Sequence, residues 1–394
     1  MLQSMQVGIV TETFRPEVNG VAMTLGRLVD GLLERGHRIQ IIRPAQGRND
    51  RAAVNGSLRE HLAPGFRIPF YPDMHTGLIS RMRLRRLWCE FRPDVLYVAT
   101  EGPLGRAAVR QAAAWNIPAL SGFHTQFAHY SRHYRLGWLE PMVERYLRTF
   151  HRSTACTLVP TRDLQRQLEE KGFGRVEVLS RGVDCSLFHP RRRSADLRAA
   201  WGLADNELAV LYVGRLAAEK NLEDAVATFE AIQWEQPTAR FVLVGDGPER
   251  ARLAVEHPEF IFCGTQTGES LAHHYASADL FLFPSRTETF GNVVLEAMAS
   301  GLPVVAYDYA AAAQHMAGGQ AGMAVPLEDP AGFTRAALRL SRSPLLRARI
   351  GSLACEQACR VDWADVVTRF ETLLHQYGAR GQRARNAASL AMVR

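Results

Sequence analysis

No stretch of the chain approaches the ~18 consecutive apolar residues of a membrane-crossing helix, so no spanning segment is expected. The start, "MLQSMQVGIVTETF", lacks a basic segment followed by an apolar core, so no secretory leader is expected either. Only six cysteines occur in 394 residues, with no CxxC and no Cys/His cluster at metal-ligand spacing. A disulfide framework and a structural zinc site are therefore not expected, and Cys355 and Cys359 read as small apolar fillers on one helix. No G-x-G-x-x-G follows the first apolar run, which counts against a dinucleotide-dependent oxidoreductase or epimerase. The expectation is a cytoplasmic protein able to sit peripherally on the inner face of the cytoplasmic membrane.

What is present is ordinary globular composition, 47% hydrophobic and 22% charged. At ~100–200 residues per domain the length suggests two domains. The net charge of +7 allows a nucleic-acid partner, an anionic membrane or an anionic small molecule. Basic residues cluster in "RMRLRR" (Arg81, Arg83, Arg85, Arg86), in "RRR" at 191–193, and at Arg380, Arg383 and Arg385. No recognised nucleic-acid module accompanies them, so nucleic acid is not an expected partner.

Short apolar runs alternate with amphipathic segments: "QVGIVTE", "RIQIIRP", "DVLYVAT", "PALSGFH", "ACTLVP" and "VEVLS", then "LAVLYVGRL", "ARFVLVGDG", "FIFCG", "LFLFPS" and "PVVAY". This is the rhythm of parallel sheets with crossover helices. It predicts an α/β protein of two doubly wound, Rossmann-like domains facing across a cleft. The breaks place an N-terminal domain at 1–187, a second at 188–360 and a C-terminal helix with a frayed polar tail at 361–394. Such sheets bind ligands beyond the carboxyl ends of their strands, so motifs at strand ends carry the candidate chemistry.

After "LFLFPS", the turn "RTETFGN" opens a helix whose free N–H groups favour an anion, which places Phe290, Gly291 and Asn292 beside it. Glu288 precedes the helix and Glu296 lies about one turn inside it. Solvated surface acids are the ordinary reading of such a pair, but the apolar surroundings of Glu296 leave little free surface. Arg215 ends a strand and Lys220 precedes the next helix. Each alone reads as a surface ion-pair residue, and together they can flank a diphosphate. Gly20 is either a plain helix-start glycine or a point of close backbone approach. His124, at a strand end, is a core histidine or a contact for a ligand hydroxyl. "VGDGPE" has Arg250 where a third glycine would complete a dinucleotide fingerprint, and reads as a tight turn. The 78–91 stretch is either a helix on an anionic lipid surface or a core helix with a basic outer face.

Taken together, "GRLAAEKN", "ETFGNVVLEAMASGLPVV", "RGVDCSLFHP" and "TETFRPEVNGV" resemble the retaining nucleotide-sugar glycosyltransferases of family 4, which have the two-domain GT-B fold. The N-terminal half looks most like bacterial members acting on lipids, including mannosyltransferases using GDP-mannose and diacylglycerol glycosyltransferases. The resemblance implies that Arg215 and Lys220 bind the donor diphosphate, Glu296 the ribose and Glu288 the sugar. It implies that His124 approaches the transferred sugar and that Gly20 lies near the phosphates. No metal or other cofactor is implied, and the C-terminal helix at 363–377 is expected to cross back to the first domain. Arg181 stands where many relatives carry Asn, and Asn19-Gly20 where many carry two glycines. The expected partners are a nucleotide-diphosphate sugar, GDP-mannose or a UDP-hexose including UDP-glucuronate, and a lipid or glycan acceptor. A non-enzymatic nucleotide- or nucleic-acid-binding protein is the competing class, because fold alone does not fix function.

Overall fold

A computed structural model describes residues 3–17, 19–47, 49–68, 71–124 and 140–392. The aromatic-rich run at 127–138 and the side chains of Arg380, Arg383 and Arg385 lie outside what it describes. Among described residues the chain divides into two compact units, one holding residues up to 124, 140–180 and 364 onward, the other 181–363. The expected boundaries were 187/188 and 360/361; the divisions fall at 180/181 and 363/364.

Unit 1 is built on an eight-stranded sheet in the order β10-β9-β8-β7-β1-β2-β4-β3. Its strands are β1 (Gln6–Val10), β2 (Arg38–Pro44), β3 (Val54–Asn55), β4 (Leu58–Ala63), β7 (Val95–Val98), β8 (Ala119–Gly122), β9 (Cys156–Val159) and β10 (Val176–Val178). All pairings are parallel except β3 with β4. A separate antiparallel pair, β5 (Gly65–Ile68) with β6 (Tyr71–Gly77), lies between β4 and the next helix. Val7, Ile9, Leu96 and Val98 are fully buried, as expected where helices cover both faces of a parallel sheet.

Three helices of unit 1 matter below. Helix α1 (Gly20–Glu34) is capped by Asn19, whose side chain accepts from the N–H groups of Val21 and Ala22. Helix α2 (Arg81–Glu90) is capped by Ser80 and buries Leu84 and Trp88. Its residues Arg81, Met82, Arg83, Arg85 and Arg86 are exposed, so it is a packed helix with a basic outer face. Helix α3 (Pro103–Ala114) starts on a proline, which costs no helical hydrogen bond there. The final helix, Trp363–Met392, includes the tail that was expected to fray, and its first turns bury Phe370, Leu373 and Leu374.

Unit 2 carries a six-stranded parallel sheet in the order β13-β12-β11-β14-β15-β16. Its strands are β11 (Ala209–Val213), β12 (Arg240–Val244), β13 (Ile261–Gly264), β14 (Leu280–Phe283), β15 (Val304–Tyr307) and β16 (Met323–Val325). The turn after β12 is where "VGDGPE" acts. Gly245 has φ 136°, and a Cβ there would lie 1.9 Å from the Gly214 carbonyl oxygen. That closeness lets Leu216 N–H donate to Asp246 O at 2.9 Å and Glu249 N–H to Leu216 O at 2.9 Å. The glycines thus brace the Arg215 turn against its neighbour.

One expectation is corrected. Cys359 is not a filler but forms a disulfide with Cys185, 174 residues away. Beside it Val183 bridges Asp362, so the residues where the chain enters and leaves unit 2 are joined twice. Gly245→Ala is expected to destabilise unit 2 by more than about 2 kcal/mol, because no shift of a flexible side chain relieves a clash with backbone. Urea unfolding followed by tryptophan fluorescence checks this, and an unchanged midpoint would refute the bracing role.

Candidate functional site

Two strand ends of unit 2 bring most of the sequence-picked residues together. After β11 the chain passes through Gly214, Arg215 and a 3-10 turn, Ala218–Lys220, to Asn221 in the left-handed conformation and the helix Leu222–Glu235. After β14 it runs through 284–290 to Gly291, left-handed at φ 89°, and the helix Asn292–Ala299. The two loops are tied to each other. Asn221 Nδ2 donates to Pro284 O at 3.1 Å, and Thr287 Oγ1 to Glu219 O at 3.0 Å. Arg286 donates to Asp224 Oδ2 at 2.6 Å and to the Tyr307 hydroxyl at 2.8 Å, and that hydroxyl donates to Asp224 at 2.7 Å.

Within this frame Lys220 Nζ forms a close ion pair with Glu288 Oε1, which also accepts from Ser285 Oγ at 2.8 Å. Lysine and acid were read from sequence as separate groups; they are direct partners. Arg215 is more open, with 40% of its side chain exposed, and its Nη1 lies 3.7 Å from Glu219 Oε1. The cap Gly291 offers no side chain to the first N–H groups of the helix behind it, which leaves them suited to an anion. Phe290 is 5% exposed and packed in the core, so only its backbone can meet a ligand.

Glu296 is 8% exposed and accepts one hydrogen bond, from Tyr275 OH at 3.0 Å. Burial pushes its carboxyl up to about 7, with the Tyr275 bond pulling weakly the other way. It is an acid with unused acceptor capacity, one helical turn from the anion-favouring end.

His124 and Gly20 belong to unit 1. His124 follows β8, is 8% exposed, and its Nε2 lies 2.9 Å from Tyr97 OH. Gly122 makes room for that pair, since a Cβ there would lie 2.4 Å from both atoms. Gly20 is exposed at the first residue of α1. Sequence reading passed over Glu12, 9% exposed just beyond β1, which accepts from Leu104 N–H at 3.1 Å and from Gly77 N–H. Burial raises its carboxyl to about 7. Glu101, after β7, falls in a strand-end stretch, 101–105, that sequence marks as one of those that matter most but to which it gives no role, and it lies 3.2 Å from His151 Nε2. The available signal was an acid shortly after an apolar strand, Glu12 after Val10 and Glu101 after Val98.

Spacing gave no metal cluster, but the fold of unit 1 gathers His37, Glu371 and His375 with ligand atoms within 4.8 Å. Met5 N–H donates to His37 Nδ1 at 3.2 Å, so the His37 proton sits on Nε2 and points to Glu371 Oε1 at 3.1 Å. A metal on Nε2 would force a proton onto Nδ1, against that N–H. Arg35 takes the other oxygen of Glu371 at 2.6 Å. The group is a hydrogen-bonded cluster rather than a prepared cation site.

The chain matches "Glycosyltransferase Family 4" over residues 18–187 and "Glycosyl transferases group 1" over 207–343. It is 32% identical over 393 residues to a GDP-mannose-dependent alpha-mannosyltransferase of Mycolicibacterium smegmatis, covering 98% of this chain and 100% of the relative. It is 27% identical to an alpha-monoglucosyldiacylglycerol synthase of Streptococcus pneumoniae, covering 77% of this chain and 71% of that one. Among solved structures, a sucrose-phosphate synthase from Thermosynechococcus elongatus has a TM-score of 0.81 at 20% identity, over 95% of this chain and 100% of that one.

Because Glu296 has its pKa raised in the folded state, its contribution to stability is fully present below about pH 4.5 and is lost as pH rises through about 7. Glu296→Gln is therefore expected to be more stable than the parent at pH 8.5 by up to about 3 kcal/mol, with the gap closing at pH 5. Urea titrations at the two pH values measure it; a pH-independent gap would mean the carboxyl is ionised throughout.

Proposed function

The chain belongs to glycosyltransferase family 4, with the GT-B fold, and from that premise we propose that it is a retaining, metal-independent enzyme that moves a mannosyl unit from GDP-mannose to a membrane-lipid hydroxyl. What supports the donor site most directly is one arrangement: the Lys220–Glu288 pair before the helix Asn292–Ala299 and the buried acceptor Glu296 within it. A diphosphate draws Lys220 away from Glu288 and sits against Lys220, Arg215 and the first helical N–H groups. Glu288, released, accepts from sugar hydroxyls, and Glu296 accepts from the ribose. The diphosphate is the leaving group as the anomeric bond breaks, and both cations meet the charge that grows on it. The acceptor oxygen attacks from the same face, its proton passing to the departing phosphate oxygen. His124 contacts the transferred sugar, and Gly20 lets the α1 start approach the phosphates. The relative that supports mannose spans the full chain. UDP-hexoses, including UDP-glucuronate, form the alternative donor class.

The lipid acceptor is supported by the diacylglycerol relative and by the outer face of α2. There Arg81, Arg83, Arg85 and Arg86 accompany Met82, 80% exposed, and Leu78, 50% exposed, a pattern suited to an anionic interface. No described helix is long and apolar enough to cross a membrane. Peripheral attachment to the inner face of the cytoplasmic membrane is the proposed location.

A thermal-shift screen of nucleotide sugars should give its largest shift with GDP-mannose, because a ligand of the folded state raises stability. A shift confined to UDP-sugars would move the donor assignment. Arg215→Ala and Lys220→Ala should each lower kcat/KM by about 100-fold or more with little change in melting temperature, since both meet charge in the transition state. Full transfer with both removed would sink the site. Glu288→Gln should lose transfer yet still bind GDP, and activity should survive a metal chelator.

A further inference from the structure

The proposed cytoplasmic location keeps thiols reduced, and disulfides formed there are mostly reactive rather than permanent. Among the described residues one is formed, Cys185–Cys359, and its surroundings fit exchange. Cys359 is exposed and Cys185 half-buried, so a small thiol reaches the bond from the Cys359 side. The backbone around the bond closes without the sulfurs. Val183 N–H donates to Val361 O at 3.1 Å, Val183 bridges Asp362, and a Cβ at Gly182 would lie 2.7 Å from Trp363 N. Once separated, the two thiols are therefore kept side by side and can re-form the bond. The third cysteine nearby does not compete. Cys355, one turn earlier on the helix Pro344–Ala358, donates its thiol to Ala299 O at 3.2 Å, and burial pushes its pKa up, away from the reactive thiolate.

The bond also fastens together two segments that grip the end of the donor-site helix. Cys359 caps the helix Pro344–Ala358. Gly351 of that helix packs so closely on the turn after Ala299 that a Cβ there would lie 2.2 Å from Gly301 O. From the Cys185 side, Pro190 Cγ would lie 2.7 Å from a Cβ at Gly301. Gly301, left-handed at φ 71°, follows the helix Asn292–Ala299, which carries Glu296 and presents the anion-favouring N–H groups. Opening the bond frees the two grips from each other and loosens that helix at the end away from the ligand.

We propose that Cys359 is a thiol–disulfide exchange site through which a small monothiol sets the order of the helix Asn292–Ala299. The thiolate attacks Cys359 Sγ, the S–S bond breaks, and Cys185 leaves as a thiolate that takes up a proton. A second thiolate attacks the small-molecule sulfur of the mixed disulfide, which releases Cys359 as a thiol and the small-molecule disulfide. Two electrons pass from the two monothiols to the protein, and the reverse sequence restores the bond. The exchange stands whatever the ligand; only its effect on donor binding rests on the donor site proposed above.

The test equilibrates the full chain, without denaturant, in reduced or oxidised glutathione and scores Cys185 and Cys359 by differential alkylation and mass spectrometry. Reversible reduction of this pair, with circular dichroism unchanged, is expected. A bond that opens only when urea unfolds the chain would overturn the proposal. Hydrogen exchange then reads residues 292–301 with no ligand present. Their amides should exchange about tenfold faster in the reduced parent, the scale of an ordinary coupling between two sites. Cys359→Ser should show the fast exchange in both buffers, and the reduced parent decides the matter if that variant fails to fold. Cys89→Ser, which removes an exposed thiol in unit 1, should respond to glutathione as the parent does. Unchanged exchange at 292–301 after reduction would leave the bond a passive staple and overturn the proposal. GDP, titrated calorimetrically, should bind the reduced form about tenfold more weakly. Altered exchange with no GDP binding in either form would uphold the exchange site and sink the donor reading. Altered exchange with equal GDP affinity in both forms would overturn the control of donor binding.

Discussion

A parallel strand covered on both faces can carry a charge along its length only by burying a partner with it, as Arg43 of β2 does with Glu60 of β4, so other polar chemistry collects where the strand stops. Both sheets show such endings. Glu12, Glu101 and His124 follow β1, β7 and β8, and Arg215 and Ser285 follow β11 and β14. The site in unit 2 is the meeting of two such endings, held by hydrogen bonds between loops rather than by the ion pair alone. Asn221, Thr287 and the Asp224–Arg286–Tyr307 group hold the loop backbones, leaving the Lys220–Glu288 pair to change partners without moving them.

Two carboxyl groups, Glu12 and Glu296, are raised to about 7 by the same cause, burial, yet their surroundings differ. Glu12 receives backbone N–H groups from Gly77 and Leu104, so its oxygens join the end of β6 to the start of α3. Among the described residues Glu296 receives only the Tyr275 hydroxyl. The first acid uses its oxygens to join elements of the fold, and the second keeps unused acceptor capacity. The two acids therefore differ in their partners, not in the cause of their shift.

Strands with continuous apolar runs were readable, because "QVGIV", "VLYV" and "LFLF" carry their burial in composition. β4 was not: "LREHLA" includes Arg59, Glu60 and His61, with Glu60 paired to buried Arg43 inside the fold. The Asn55-Gly56 dipeptide before it, with Gly56 at φ 46°, was the hairpin signal available there. The acids and cations of unit 2 were legible as strand-end residues, and the burial of Glu296 followed from its apolar neighbours. Their pairing was not, since Lys220 and Glu288 are 68 residues apart and spacing holds no information about which loops adjoin. The same limit hid Cys185–Cys359 and the His37–Glu371 contact, which join positions 174 and 334 residues apart.

The disulfide and the Val183–Asp362 bridge give unit 2 a property beyond added stability. Unit 2 is spliced into unit 1, which resumes at Ala364. With its two ends stapled, the segment 185–359 is topologically a ring. Tension applied at the chain termini crosses the staple and bypasses the core of unit 2. Peeling from an end, the usual way an inserted domain begins to open, is closed to it. Unit 2 between the staple points loses structure only from within, however far unit 1 has come apart.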